Sequence, residues 1–151
     1  MARSTFTYVT YIRTTQQKLW TALTDAKFIK QYWFGMNIES QWKAGSSWKM
    51  STDKGELYDE GSIVEADPPK KLVIRWQHMI KPELKAEGAS LCTMELEPSA
   101  GAVRLSITHT IERDNSKFIE AVSGGWPKIM SNLKSLLETG SLAMDEPYPT
   151  K

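Results

Sequence analysis

The chain has 151 residues, 40% of them hydrophobic and 25% charged, with a formal net charge of +1. A chain of this length buries roughly 68–70% of its unfolded surface. Its composition is that of an ordinary globular domain and excludes a disordered chain, a collagen and a disulfide-dense mini-protein. The balance of 19 basic and 18 acidic side chains leaves no basic surplus for nucleic-acid binding by counterion release, so no nucleic-acid partner is expected.

Residues 5–12 are rich in β-formers, with Phe6, Tyr8 and Thr10 alternating against Thr7, Val9 and Tyr11, which predicts a strand. Thr14 is the expected N-cap of a helix, with Gln17 reaching back as in a capping box. Leu19, Ala22, Leu23 and Ala26 follow at helical spacing. Asp25 caps a second short helix that runs towards Tyr32, where the aromatic cluster Tyr32-Trp33-Phe34-Gly35 begins.

A run of strands comes next. Residues 37–42 and 46–51 form a hairpin through Lys43-Ala44-Gly45, and Asp53-Lys54-Gly55 is a further turn. Residues 57–66 form a strand that Asp67-Pro68-Pro69 stops, because proline cannot continue the ladder. Another strand spans 72–78, followed by a charged loop over 81–88. Residues 90–97 and 103–112 pair around Pro98-Ser99-Ala100-Gly101.

The last element is helical. Ile119, Val122, Trp126, Ile129, Leu133 and Leu136 form one apolar stripe. Ser123-Gly124-Gly125-Trp126-Pro127 predicts a break near Gly124–Gly125 and a fresh helix over 127–138. Gly140 is the expected C-cap. The organisation is a single domain over 1–140 with a loose tail over 141–151. Strand, helix, six strands and long helix make an α+β fold with an antiparallel sheet, against which the stripe must pack.

Cys92 is the single cysteine, so no intrachain disulfide can form, which fits a reducing compartment. No apolar run approaches the roughly 18 residues of a membrane span. The first ten residues lack the apolar core and cleavage site of a secretion signal. A cytoplasmic protein with no membrane partner is the expectation. Oligomeric state is not legible. Six tryptophans, Trp20, Trp33, Trp42, Trp48, Trp76 and Trp126, point to an aromatic core or an aromatic-lined cavity.

Strand register sharpens this. Side chains alternate with period two, so Leu72, Ile74, Trp76 and His78 share a face. The same holds for Cys92, Met94 and Leu96, and for Val103, Leu105, Ile107, His109 and Ile111. The expected pairing sets Trp76 opposite Met94, His78 opposite Cys92, Met94 opposite Leu105 and His109 opposite Ser90. Arg75, Gln77, Thr93, Glu95, Arg104, Ser106 and Thr108 make the solvated face.

Tyr32-Trp33-Phe34-Gly35, Trp42-Lys43-Ala44-Gly45-Ser46, Asp59-Glu60-Gly61, Glu65-Ala66-Asp67-Pro68-Pro69 with Leu72 and Trp76, and Gly125-Trp126-Pro127 through Leu136-Leu137-Glu138-Thr139-Gly140 occur in this order. This set resembles the bacterial START-like (SRPBCC) proteins, and more narrowly the homologues of the activator of the heat-shock-protein-90 ATPase. The resemblance covers about residues 5–140. It implies a helix-grip fold: a curved seven-stranded antiparallel sheet around a long C-terminal helix, with two short helices after the first strand. It also implies a cavity between sheet and helix that in many relatives holds a small apolar molecule. A chaperone ATPase is the partner that the family name implies.

The expected function is binding of a small hydrophobic or aromatic ligand in that cavity. The expected lining is Trp33, Phe34, Trp48, Met50, Tyr58, Trp76, His78, Cys92, Met94, Ile107, His109, Trp126 and Met130. Met50, Met94 and Met130 give the wall adaptability. His78, His109 and Tyr58 are the polar handles, since apolar pockets carry a few polar groups that set orientation. The alternatives are a co-chaperone-like regulator of a chaperone ATPase, and a hydrolase, lyase or cyclase using Glu60, His78 or His109. His78, Cys92 and His109 are all zinc-ligand types, but no local ligand spacing accompanies them, so no metal or cofactor is expected. Cys92 with His78 lacks the third group of a nucleophilic triad. Asp59, Glu60 and Glu65 are expected on a solvated strand face or in ion pairs, with Glu60, beside the bend expected at Gly61, the alternative candidate to point inward.

Overall fold

The structure is a computed structural model that describes residues 2–144. Strand β1 (Ser4–Ile12) leads into helices α1 (Gln16–Thr24) and α2 (Ala26–Tyr32). Then come β2 (Asn37–Ser40), β3 (Ser47–Ser51), β4 (Leu57–Asp67), β5 (Lys71–His78), the short helix α3 (Pro82–Lys85), β6 (Ser90–Ser99), β7 (Ala102–Ile111) and the long helix α4 (Lys117–Thr139). The strands form one seven-stranded sheet in the order β1-β7-β6-β5-β4-β3-β2, with every neighbouring pair antiparallel. Helix α4 packs against β1, β7 and α2. This is the α+β helix-grip arrangement, with the core between the inner sheet face and α4.

The faces follow the expected alternation. Leu72, Ile74, Trp76, Cys92, Met94, Leu96, Val103, Leu105, Ile107, His109 and Ile111 are all buried. The pairing along the strands differs. Ile74 lies opposite Cys92 and Trp76 opposite Ser90, because β6 begins only at Ser90 and the last two residues of β5 pair with β4 alone. Gln77 and His78 thus face Glu60 and Asp59. Cys92 lies opposite His109 and Met94 opposite Ile107. Here Ala100 and Gly101 close the hairpin alone, with φ of 49° and 84°, the left-handed pair of a two-residue turn. Both slips are even, so every side chain keeps its face.

Three local expectations are corrected. The N-cap of α1 is Thr15, whose hydroxyl accepts from Lys18 N–H at 3.1 Å, one residue later than Thr14. The loop after β5 contains α3, started by Pro82 at its first turn and anchored by buried Leu84.

Helix α4 runs unbroken through Gly124, Gly125 and Pro127. Proline removes one backbone donor, but Trp126, Ile129, Met130 and Leu133 are buried on the same face. Tertiary burial of the stripe outweighs the local cost, as it does for most helices in proteins. The cap residues behave as expected: Ser116 accepts from Ile119 N–H, and Gly140 ends the helix at φ 85°. Glu87, from the loop after α3, also accepts from Ser116 Oγ and from the N–H groups of Lys117 and Phe118. The start of the expected tail is held in place. Buried Asn132 clamps both backbone groups of Met144, at 3.1 and 2.8 Å, and residues 145–151 lie outside the described residues.

Candidate functional site

Four tryptophans from four elements converge between sheet and helix. Trp76 on β5 has its ring centroid 4.6 Å from Trp48 on β3, 5.8 Å from Trp126 on α4 and 6.1 Å from Trp33 after α2. Trp33 and Trp126 meet edge to face at 5.3 Å. Trp48 and Trp76 are both cross-strand partners of Gly61, and a Cβ there would lie 1.7 Å from the Arg75 carbonyl oxygen. The close approach of β4 and β5 therefore requires glycine, and the two indoles close over bare backbone.

The cavity left beside them measures about 10 Å³ and is lined by Tyr32, Trp33, Ile38, Trp42, Trp48 and Trp76 with neighbouring aliphatics. That is room for about one water. The space in which a ligand was expected is filled by indoles in this conformation.

His109 lies at one edge of the cluster, fully buried. Trp126 Nε1–H donates to its Nδ1 at 3.1 Å, and its Nε2 is 2.8 Å from Ser90 Oγ. With Nδ1 accepting, Nε2 carries the proton and donates to Ser90, whose hydroxyl passes the chain on to the Trp76 carbonyl at 3.1 Å. Burial pushes the His109 pKa down to about 3, in keeping with a neutral ring whose two nitrogens are both used.

A second polar group sits nearby. His78 Nδ1 is 2.7 Å from Asp59 Oδ1, with side-chain exposures of only 14% and 10%. His78 Nε2 accepts from Lys81 N–H at 3.1 Å, so Nδ1 carries the proton and donates to the carboxylate. Burial raises the Asp59 pKa, against the opposing pull of His78 and of the Trp76 N–H. The indole nitrogen is thus near enough to act on Asp59, yet Trp76 Nε1 is buried without a hydrogen-bond partner. Buried donors are nearly always paired, and the Asp59 carboxylate is the acceptor on which this N–H acts.

Of the expected lining, Trp33, Trp48, Trp76 and Met94 border the small cavity. Met50, Cys92, Ile107, His109, Trp126 and Met130 are buried in the core around it, and His78 is half-buried beside Asp59. Phe34 packs on the rim of the core with φ 55°. Tyr58 is half-buried and alternates onto the face opposite Asp59. The inward carboxylate is Asp59 rather than Glu60, which pairs with Lys49 and Gln77 on the other face. Cys92 neighbours His109 and Ile74 rather than His78, and burial pushes its thiol pKa up. No group of three metal-ligating side chains clusters among the described residues.

Sequence reasoning set Ser90 opposite His109 without giving it a role, and missed Ile38, Trp42 as a lining residue and the pairing of Asp59 with His78. Extending the register to β4 would have found that pair, since Asp59 falls opposite His78 once Gly61 is set against Trp76. Outside the core, an open groove of about 750 Å³ runs between the α1–α2 junction and β2–β3.

Comparison with known proteins agrees with this architecture. Residues 13–138 match the family described as "Activator of Hsp90 ATPase homolog 1-like protein". A search of curated proteins gives no match. A protein from Mesorhizobium loti superposes with a TM-score of 0.78 at 23% identity, covering 92% of this chain and 100% of that one. The Aha1 dimer from Colwellia psychrerythraea gives 0.73 at 22% identity, over 91% and 98% of the two chains. An HSP90 activator from Plasmodium falciparum gives 0.71 at 20% identity, over 88% and 95%. At these identities the structures share the fold alone. With its family match spanning most of its length, the chain belongs to the Activator of Hsp90 ATPase homolog 1-like family.

Proposed function

We propose that the protein binds a small aromatic molecule bearing a hydroxyl group, in a pocket that opens within the tryptophan cluster between sheet and α4. The observation that carries this is the buried Trp76 N–H, which has no acceptor at full hydrogen-bond distance among the described residues yet acts on the nearby Asp59 carboxylate. An unmade buried hydrogen bond costs about 1–3 kcal/mol. A hydroxyl satisfies both groups at once, accepting from Trp76 and donating to Asp59. The indoles supply flat apolar surface for the ring. Because the closed conformation leaves about 10 Å³, the ligand takes a less populated open state, and its apparent affinity is reduced by that fraction.

The test is a pair of titrations by tryptophan fluorescence, with 2-naphthol and naphthalene. The expected result is that 2-naphthol binds at least about ten-fold tighter, equivalent to about 1.4 kcal/mol, and that His78→Leu or Asp59→Ala narrows the gap. Equal affinities in the wild type overturn the polar-handle reading, and no binding of either overturns the pocket. Native mass spectrometry of the protein as purified, compared with denaturing extraction, would show an endogenous ligand directly.

Family membership favours a second reading, regulation of a chaperone ATPase. Its test is ATP turnover of the chaperone from the same cell with and without this protein, and an unchanged rate removes it. An acid–base enzyme has no such support: both nitrogens of His78 and of His109 are occupied by structural hydrogen bonds.

A further inference from the structure

We propose that the groove between the α1–α2 junction and β2–β3 is the entrance to the tryptophan cluster, and that the Trp42 indole is the side chain that must swing aside to open it; this rests on the ligand-binding reading above. Two residues, Ile38 and Trp42, line both the inner cavity and the groove. Ile38 lies on β2 and is buried, so it is fixed wall. Trp42 lies beyond the end of β2, where no ladder holds it, and is half-buried. One side chain therefore separates about 10 Å³ of interior from about 750 Å³ of open groove.

The backbone at Trp42 supports movement. Its φ is 58°, in the left-handed region that a bulky residue seldom enters. Such strain persists only where the surroundings impose it, and it collects at clamps and switches. The surroundings that impose it here are the core against which the indole packs and a polar tether in which Trp42 N–H donates to Ser40 Oγ at 3.0 Å and Ser40 Oγ contacts Ser46 Oγ at 3.3 Å.

The groove also suits the proposed ligand. Thr21, Thr24 and Ser47 offer hydroxyls, Gln41 an amide, and Glu39 and Lys49 opposite charges. A polar vestibule that leads to an indole and then to an apolar interior favours a flat ring with one hydrogen-bonding edge over a long alkyl chain.

Acrylamide quenching tests the route without any ligand. Trp42 is the most exposed of the tryptophans, since each of the others is buried. If Trp42 does not close the entrance, Trp42→Ala removes the most accessible fluorophore and overall quenching falls. If it closes the entrance, acrylamide reaches Trp33, Trp48 and Trp76, and quenching rises about two-fold. Circular dichroism and the melting temperature verify that the variant is folded. Should it not fold, Ser40→Ala removes the restraint and keeps the indole, with the same rise expected.

Unchanged or lower quenching in a folded variant overturns the gate. Stopped-flow mixing with 2-naphthol supplies the second arm: Trp42→Ala should raise association and dissociation rates together by about ten-fold, with little change in Kd. A change confined to Kd makes Trp42 a contact residue and overturns the gate. If quenching rises while 2-naphthol binds neither protein, the ligand reading fails and the entrance stands.

Discussion

His78 Nδ1 donates to Asp59 Oδ1 across 2.7 Å, between two adjacent strands and almost out of water. The Trp76 N–H acts on the same carboxylate, and among the described residues its nitrogen is buried with no acceptor at full hydrogen-bond distance. Lys81 N–H on His78 Nε2 fixes the tautomer and ties the loop after β5 to the same point. Asp59→Ala strands the His78 Nδ1 proton and should cost about 1–3 kcal/mol in urea denaturation. Asp59→Asn keeps an acceptor and should cost less than half as much. Equal losses would show that the imidazole takes nothing from the carboxylate.

Stability should fall with acid through His109. Its folded pKa, about 3, lies below the roughly 6.5 of a free imidazole. Between those values the unfolded chain binds the extra proton, so the contribution is fully present above pH 6.5 and declines as pH falls, by about 1.4 kcal/mol per pH unit. Asp59, with its pKa raised, acts in the opposite sense in its own acidic window and blunts the slope. Urea midpoints from pH 7 to pH 4.5 test this. A flat profile, with the His109 ring titrating near 6.5 by NMR, would contradict it.

Gly61→Ala should be among the most damaging single changes. A methyl group there would meet the Arg75 carbonyl at 1.7 Å, and backbone cannot step aside as a side-chain tip can. Parting β4 from β5 also parts Trp48 from Trp76. A loss of about 3 kcal/mol or more is expected, beyond the usual range for point mutants. A loss under about 1 kcal/mol would mean that the strands do not approach so closely.

Gly124→Ala should do the reverse. Gly124 is inside α4, and a Cβ there meets nothing within 4 Å. Alanine lowers the entropy of the unfolded chain and favours helix, for a gain of about 0.4–1 kcal/mol. A destabilised variant would point to the broken helix that Gly124-Gly125 and Pro127 suggest on sequence alone.

These contrasts show what the sequence carried. Alternation placed Trp76, Cys92, Met94, Ile107 and His109 on one face, because an even slip in register leaves faces unchanged. The exact partners depended on turn geometry. Ala100 adopts a left-handed turn conformation that alanine seldom takes, and α3 consumes residues assigned to an open loop. Pro127 misled in the opposite way: its local preference is real, but burial of the stripe overrides it. Asp59 was read as a solvated carboxylate because only its neighbours across β5 and β3 reveal that it points inward. In the sequence Trp42 is one aromatic among several; only the fold places it on both the groove and the cavity.

The most direct test of the central claim is the set of tryptophan indole N–H signals in a proton–nitrogen NMR spectrum, recorded with and without 2-naphthol. Trp126 donates to His109, whereas Trp76 has no acceptor at full hydrogen-bond distance among the described residues, so their starting environments differ. On binding, the Trp76 signal should move downfield as it gains an acceptor, the Trp48 and Trp33 signals should shift with the ring, and Trp20, outside the cluster, should stay put. A spectrum in which Trp76 does not move at saturating 2-naphthol would contradict the account.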